Sequence, residues 1–375
     1  MKRIMLKSVK VSLILLIPIL GINFLWLVYQ EKASKSIDIK DMNPEANAYY
    51  RQQDNYIIYT SGNGVRTAPL IFGERLYLYS IDEDKSYLLQ NTKGIFGAYM
   101  SDYAIEGERV YYQMGVPTGG GSVYYQYLDI NSGSSSKEKF HSECSYAAKG
   151  DHFYGIEDNN IYTISLKSGK KETLIQGNQD EYENIVIKNN VLYAYNQEKN
   201  YFVSKALDTG EEDQYPFDSN DFPNGIELID ENHLVIVGAI SGDLIEYDLK
   251  QKKQKTLVNL TERSPDDRPY EAYTCKFRDG YIYCNDDDIN ILAVNYKTGE
   301  KSKLINIADY LSSSFKDYNV DEAVVSYCTD YIAVDILYYT EGLFEDQERQ
   351  HKYLLIFDYD GRLVKKKKLV PGLYF

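Results

Sequence analysis

Four histidines, four cysteines and three runs of aspartate are the residues best suited to chemistry in this chain, and their spacing limits what they can do. His141, His152, His233 and His351 stand in separate stretches with no H-x-H or H-x-x-x-H spacing. A zinc site needs several such ligands to converge, so each reads as a surface or strand-edge histidine. Asp286-Asp287-Asp288, residues 218–221 and residues 358–360 offer oxygen ligands. None follows the D-x-D-x-D-G loop with a distal Glu that calcium requires, and all fall at turn signals, where Asp and Asn are favoured for backbone reasons. Gly119-Gly120-Gly121 reads as an exposed loop. The sequence holds no P-loop, no G-x-S-x-G elbow and no G-x-G-x-x-G after a strand. No catalytic, metal-binding or cofactor-binding residue is assigned, no cofactor is expected, and the reading leans away from an enzyme.

The cysteines allow a sharper expectation. In residues 275–284 (C-K-F-R-D-G-Y-I-Y-C) a two-residue Asp279-Gly280 turn sets Arg278 opposite Tyr281, Phe277 opposite Ile282 and Lys276 opposite Tyr283. Cys275 then faces Cys284 on a non-hydrogen-bonded pair, with Cα atoms about 4.5 Å apart. That lies at the short end of disulfide geometry, so Cys275 and Cys284 form the disulfide candidate; a pair of reduced thiols is the alternative. Cys144 and Cys328 have no visible partner.

The elements that position these residues recur. A turn pair, an apolar-aromatic strand, a polar turn and a second strand ending near a Gly turn appear at G73-E-R-L-Y-L-Y-S, G107-E-R-V-Y-Y-Q, G150-D-H-F-Y-G-I, N189-N-V-L-Y-A-Y, E231-N-H-L-V-I-V, D279-G-Y-I-Y-C and T329-D-Y-I-A-V. Marking each by its second turn residue gives Glu74, Glu108, Asp151, Asn190, Asn232, Gly280 and Asp330, spaced 34, 43, 39, 42, 48 and 50 residues. Four short strands every 40–50 residues is a propeller blade, which buries its faces only against its neighbours. The fold class is therefore all-β, a β-propeller with seven blades favoured. The short first interval leaves six or eight open. Residues 55–60 (N-Y-I-I-Y-T) form a spare strand, suited to completing a blade begun by the C-terminus. Residues 306–320 read as a short helix or loop between blades, residues 341–352 as a charged insert, and Lys365 to Lys368 as a solvated strand edge.

The repeat grammar over residues 55–370 resembles the bacterial extracytoplasmic β-propellers of the quinoprotein-like and YWTD-like group. The resemblance implies the fold and leaves the function open, because propellers bind, scaffold and catalyse alike. After residue 30 there is no Trp. The Trp-docked repeats of quinone-dependent dehydrogenases and the W-D dipeptide are therefore absent.

Residues 9–29 (V-K-V-S-L-I-L-L-I-P-I-L-G-I-N-F-L-W-L-V-Y) hold 19 residues without a charge from Val11 on, about the length that crosses a hydrocarbon core of ~30 Å as a helix. Trp26 and Tyr29 suit the far interface, and Lys2, Arg3, Lys7 and Lys10 predict a cytoplasmic N-terminus. The expected organisation is a cytoplasmic tip and transmembrane signal anchor over residues 1–30, a polar stalk over 31–54 and a propeller over 55–375. It places a single-pass protein at the cell membrane with its domain outside. Those first 30 residues hold four of the 41 basic residues and none of the 56 acidic ones, leaving a net charge of −19 on the remainder. Such a body repels phosphate backbones, so no nucleic acid is expected. With 38 Tyr against 13 Phe, inter-blade packing is favoured over a sugar-stacking platform. The functional expectation is a non-catalytic binding module held at the membrane, its partner an unknown protein or a cell-envelope glycan. The alternatives are a carbohydrate or envelope-polymer binding protein or lyase, and an accessory or sensor subunit of a membrane complex.

Overall fold

Successive side chains of a strand point to opposite faces, and in this chain both faces are apolar. In residues 75–80 (R-L-Y-L-Y-S), Leu76 and Leu78 share one face, Tyr77 and Tyr79 the other. A sheet apolar on both sides needs cover on both sides, and stacked repeats supply it; closing the stack into a ring leaves no end bare. The computed structural model describes residues 45–47, 52–61, 75–91, 99–115, 124–143, 145–177, 182–196, 198–217, 223–238, 241–261, 275–286, 289–314, 319–341 and 348–369. They form seven consecutive antiparallel sheets, a seven-bladed β-propeller with blades at 52–91, 99–141, 147–175, 182–216, 223–259, 276–305 and 319–369. In blade 2 the outer strand is split into Ser134–Ser135 and Phe140–His141, both paired with Tyr124–Asp129.

The core is partitioned accordingly. One apolar cluster fills each joint between neighbouring blades, seven in all. Leu76 and Leu78 of blade 1 join the blade 2 cluster, while Tyr77 and Tyr79 join blade 7. Ring closure thus has an apolar joint like the other six. Each terminal blade is made from one contiguous stretch of chain, and among the described residues no strand is exchanged between blades 1 and 7.

That arrangement corrects two expectations. Residues 56–61 do not complete a C-terminal blade; they are the second strand of blade 1, paired with Gln52–Gln53 and with Arg75–Ser80. The phrase at Gly73 therefore marks the third strand of blade 1, and the true first turn is Asp54-Asn55, where Asp54 has φ of 48°. Asn55 to Glu108 is 53 residues, which removes the short interval and the case for six or eight blades.

Asn306 starts a helix over Ile307–Ser314, its side-chain carbonyl accepting from the Asp309 N–H at 3.0 Å, as N-cap residues do. The described residues of the stretch 341–352 belong to an extended hairpin within blade 7. Tyr331–Glu341 and Glu348–Asp358 stay paired in register out to Glu341 opposite Glu348. The expected membrane span lies outside the described residues. Among the described residues no helix is long and apolar enough to cross a membrane.

Candidate functional site

The strand order makes the two ends of the ring unlike. Every first-to-second and third-to-fourth strand connection lies at one end, and there the chain turns within a few residues: Asp158-Asn159 apart, the left-handed pairs such as Asn189-Asn190 and Asp279-Gly280 sit here. The second strands end and the third strands begin at the other end, as do the fourth strands and the first strands that follow them. The longest stretches of sequence between strands, such as residues 62–74 and 260–275, run between those strand ends. The blade 7 hairpin also belongs to the loop end. Its two strands have 11 residues each, where the second strands of the other blades have five to seven. The excess of about five residues is roughly 15 Å of extra reach at the strand rise per residue.

The chain enters this ring in a way its composition hides. Glu45–Asn47 pairs antiparallel with Ala147–Lys149, the innermost strand of blade 3, and gives that sheet a fifth strand on the ring axis. Its Cα atoms also come within 8 Å of the inner strands of blades 2 and 4. Each inner strand runs from the loop end to the tight-turn end, so its antiparallel partner begins at the tight-turn end, with Glu45 opposite Lys149 beside the Gly150-Asp151 turn. The strand Glu45–Asn47 therefore begins at the tight-turn end of the ring.

Charged side chains near the axis are spent on joints between blades. Glu106 of blade 2, 5% exposed, accepts from the Gly150 N–H of blade 3 at 2.8 Å and lies 3.5 Å from Arg109. Arg109 in turn bonds Asp151 at 2.9 Å and the Gly150 carbonyl. Burial pushes the Glu106 carboxyl up to about 7 against the opposing pull of Arg109. Lys167 first and Arg109 second hold Asp151 below the usual carboxylate range. Glu227 of blade 5 sits between Lys188 of blade 4 at 2.7 Å and Lys276 of blade 6 at 3.6 Å. Arg278 reaches the Thr329 carbonyl and lies 3.6 Å from Asp330. At the closing joint the Thr329 N–H donates to the Asp54 carbonyl at 3.0 Å, and the Asn55 amide bridges Asp82 and Asp330. Opposite charges locked across joints fix the register of neighbouring blades, an arrangement suited to holding shape rather than to acid–base work.

The residues singled out in the sequence are dispersed. His141 lies edge-on to Tyr124, His152 beside Tyr154, and His233 bonds Asp230 at 2.8 Å; the side chain of His351 lies outside the described residues. Among the described residues no group of three potential ligands gathers. Asp286 spends its carboxylate on the Asn290 N–H and amide, and Asp358 on the Asp360 and Arg362 N–H groups, as turn-forming aspartates do. Residues 119–121, 218–221, 287 and 288 and Cys144 lie outside the described residues.

The tyrosines are packing. Tyr59, Tyr77, Tyr79, Tyr111, Tyr112, Tyr146, Tyr195 and Tyr247 are among the largest fully buried side chains. Tyr59 and Tyr77 stack at 5.1 Å. The Tyr247 hydroxyl donates to the Pro216 carbonyl and the Tyr59 hydroxyl to Ser86, so at these positions Tyr supplies apolar area with a polar tether, whereas the Tyr111 hydroxyl is buried without a hydrogen-bond partner. Of the described tyrosines only Tyr124 and Tyr281 are counted as exposed. This removes the described residues' support for an aromatic sugar platform.

The lysine run does work that its sequence did not show. Lys365 donates to the Ile81 carbonyl at 3.2 Å and Lys367 to Asp84 at 2.7 Å, both on blade 1. Lys367 is the main reason Asp84 stays below the usual carboxylate range. Alternate residues of the supposed solvated edge thus close the ring.

The Asp279-Gly280 register is the one expected, from Lys276 opposite Tyr283 to Arg278 opposite Tyr281. Cys275 and Cys284 flank it as buried thiols. Burial pushes both thiols up, Cys284 to about 12. Neither is a thiolate nucleophile at neutral pH.

No known protein family matches the chain, and no curated protein matches it. Solved structures give partial likenesses. The computationally designed Ika8 protein aligns over 89% of this chain and 92% of its own, at 12% identity and a TM-score of 0.48. A chain of a nidogen/laminin complex aligns over 66% of this chain and 92% of its own, at 11% identity and a TM-score of 0.40. A prolyl endopeptidase aligns over 88% of this chain, which spans 57% of that enzyme's chain, at 12% identity and a TM-score of 0.38. Likenesses at this level say nothing of what the chain binds.

Proposed function

We propose that the chain is a membrane-tethered, extracytoplasmic propeller that binds a protein partner through the loop end of its ring without catalysing a reaction. The observation that carries this reading is the polarity of the ring. The strand Glu45–Asn47 begins at the tight-turn end, and the 11-residue strands of blade 7 extend toward the opposite end. With residues 9–29 as a span and four basic residues before it, that polarity turns the loop end away from the lipid, where a partner has access. Loops on a rigid scaffold are where binding residues concentrate. The repeat grammar, similar to that of extracytoplasmic propellers, supports the same compartment.

Crosslinking the tagged full-length protein in cells and identifying the captured chains tests this. A reproducible partner is expected with wild type. Replacing residues 341–348 by an Asn-Gly turn, which joins Thr340 to Arg349 as a two-residue hairpin, is expected to reduce capture about tenfold while leaving the melting profile intact. Undiminished capture from the shortened hairpin would remove blade 7 from the interface. Capture of no protein at all would shift the reading to a cell-envelope glycan.

The compartment has a second readout. Outside the cytoplasm Cys275 and Cys284 are expected to be oxidised to a disulfide. Since both thiols are buried, alkylation must follow denaturation without reductant, and a linked 275–284 peptide is the expected mass. Two alkylated cysteines in protein taken from the cell envelope would overturn the disulfide.

A further inference from the structure

We propose that the inner edge of blade 3 is a strand-addition site for an extended peptide, and that Glu45–Asn47 is its resident ligand. The proposal assigns a second binding mode to the module argued above, and rests on that reading for its partner being a protein. The site is built. At the two register positions before the tight turn, the inner strand of blade 3 carries Ala147 and Ala148, both fully buried. The corresponding pairs are Ala104-Ile105 in blade 2, Val186-Ile187 in blade 4, Glu227-Leu228 in blade 5, Lys276-Phe277 in blade 6 and Ser326-Tyr327 in blade 7. Only blade 3 has two methyl side chains there. Ala147 enters the joint with blade 4 and Ala148 the joint with blade 2. With so little side chain beside the strand, another backbone can come alongside, and it is at this blade that one does.

An inner strand also presents its outward N–H and C=O groups to the axis, and a buried strand edge needs partners for them. Glu45–Asn47 supplies these by main-chain pairing, the mode in which backbone hydrogen bonds give affinity and alternate positions give selectivity. The register sets Glu45 opposite Lys149 and Ala46 opposite Ala148. The ligand class is therefore an extended strand with an acid at its tight-turn end and a small residue next to it. Residues 48–51 alone join the resident strand to blade 1, so it sits at high effective concentration and excludes competitors until it is withdrawn. Its ladder is only three residues long, which makes withdrawal feasible. A partner strand would then exchange with the chain's own.

Two measurements on the full-length protein test this. Ala46→Cys combined with Ala148→Cys places two thiols on directly paired positions, within disulfide reach. The expected product under mild oxidation is a 46–148 linked peptide. Secondly, a fluorescent peptide of residues 41–51 (DMNPEANAYYR) is titrated into wild type and into the Ala46→Pro variant, whose own segment loses a ladder N–H. Binding is expected to tighten about tenfold or more in the variant as the intramolecular competitor weakens. Absence of the 46–148 link overturns the resident strand. Equal or absent peptide binding to a variant with a wild-type melting profile overturns the site. Neither result touches loop-end capture in cells, and failure of that capture leaves the strand site standing.

Discussion

Ile356→Ala is expected to cost about 2–5 kcal/mol of stability, the usual range for emptying a fully buried aliphatic position. Ile356 is 0% exposed and lies in the joint between blades 7 and 1, among Tyr77, Tyr79, Leu88 and Leu354. Two kinds of contact hold that joint, and their magnitudes differ. The polar ones, Lys367 on Asp84 and Asn55 on Asp330, run between groups that are partly exposed, and exposed ion pairs contribute about 0–1 kcal/mol each. The apolar cluster buries whole side chains, at ~25 cal/mol per Å² removed from water. Packing must therefore dominate closure, because no shared strand ties the first blade to the last. Lys367→Ala should lose less than about 1 kcal/mol, measured beside Ile356→Ala by denaturant midpoint. If Lys367→Ala proved the more damaging, closure would be electrostatic, and high salt would open the ring.

What the sequence disclosed and what it concealed divide along one physical line. Features set by neighbours in the chain were legible. The Asp279-Gly280 pair defined its hairpin because a two-residue turn fixes register, and the recurrent alternation marked blades because each strand buries both faces. Features set by partners distant in sequence were not legible. Lys365 and Lys367 look like an idle edge because the groups they bind lie 284 and 283 residues away. Glu45–Asn47 reads as stalk because a strand held by its backbone alone needs no apolar alternation. Gly73-Glu74 mimicked a first turn because the third strand of blade 1 has the same apolar grammar as a second strand. The charge joints at Glu106 and Glu227 were equally hidden: a single acid in an apolar strand carries no mark of the lysine or arginine that a neighbouring blade will bring.

The joint at Glu106 gives the clearest pH signature. Its carboxyl titrates near 7 in the fold because burial disfavours the charged form more than Arg109 favours it, whereas an unfolded glutamate titrates near 4.5. An acid whose folded value is raised binds its proton more tightly in the native state. Its stabilising contribution is therefore complete below about 4.5 and is lost as pH rises through about 7. Full realisation of that gap is worth on the order of 3 kcal/mol. The depressed carboxyls work in the opposite sense. Asp84 and Asp151 contribute above the unfolded value of 3.8 and lose that contribution as pH falls through their folded values. Their window lies below the one Glu106 governs. The wild-type denaturation midpoint is thus expected to fall between pH 5 and pH 8. Glu106→Gln keeps an acceptor for the Gly150 N–H and has nothing to ionise, so its midpoint should stay level across the same interval and exceed wild type at pH 8. Removing a buried charge is favourable here because Arg109 retains Asp151 and the Gly150 carbonyl and is not left unpaired. Parallel wild-type and variant profiles would mean that water reaches the blade 2–3 joint and Glu106 ionises as an ordinary surface acid.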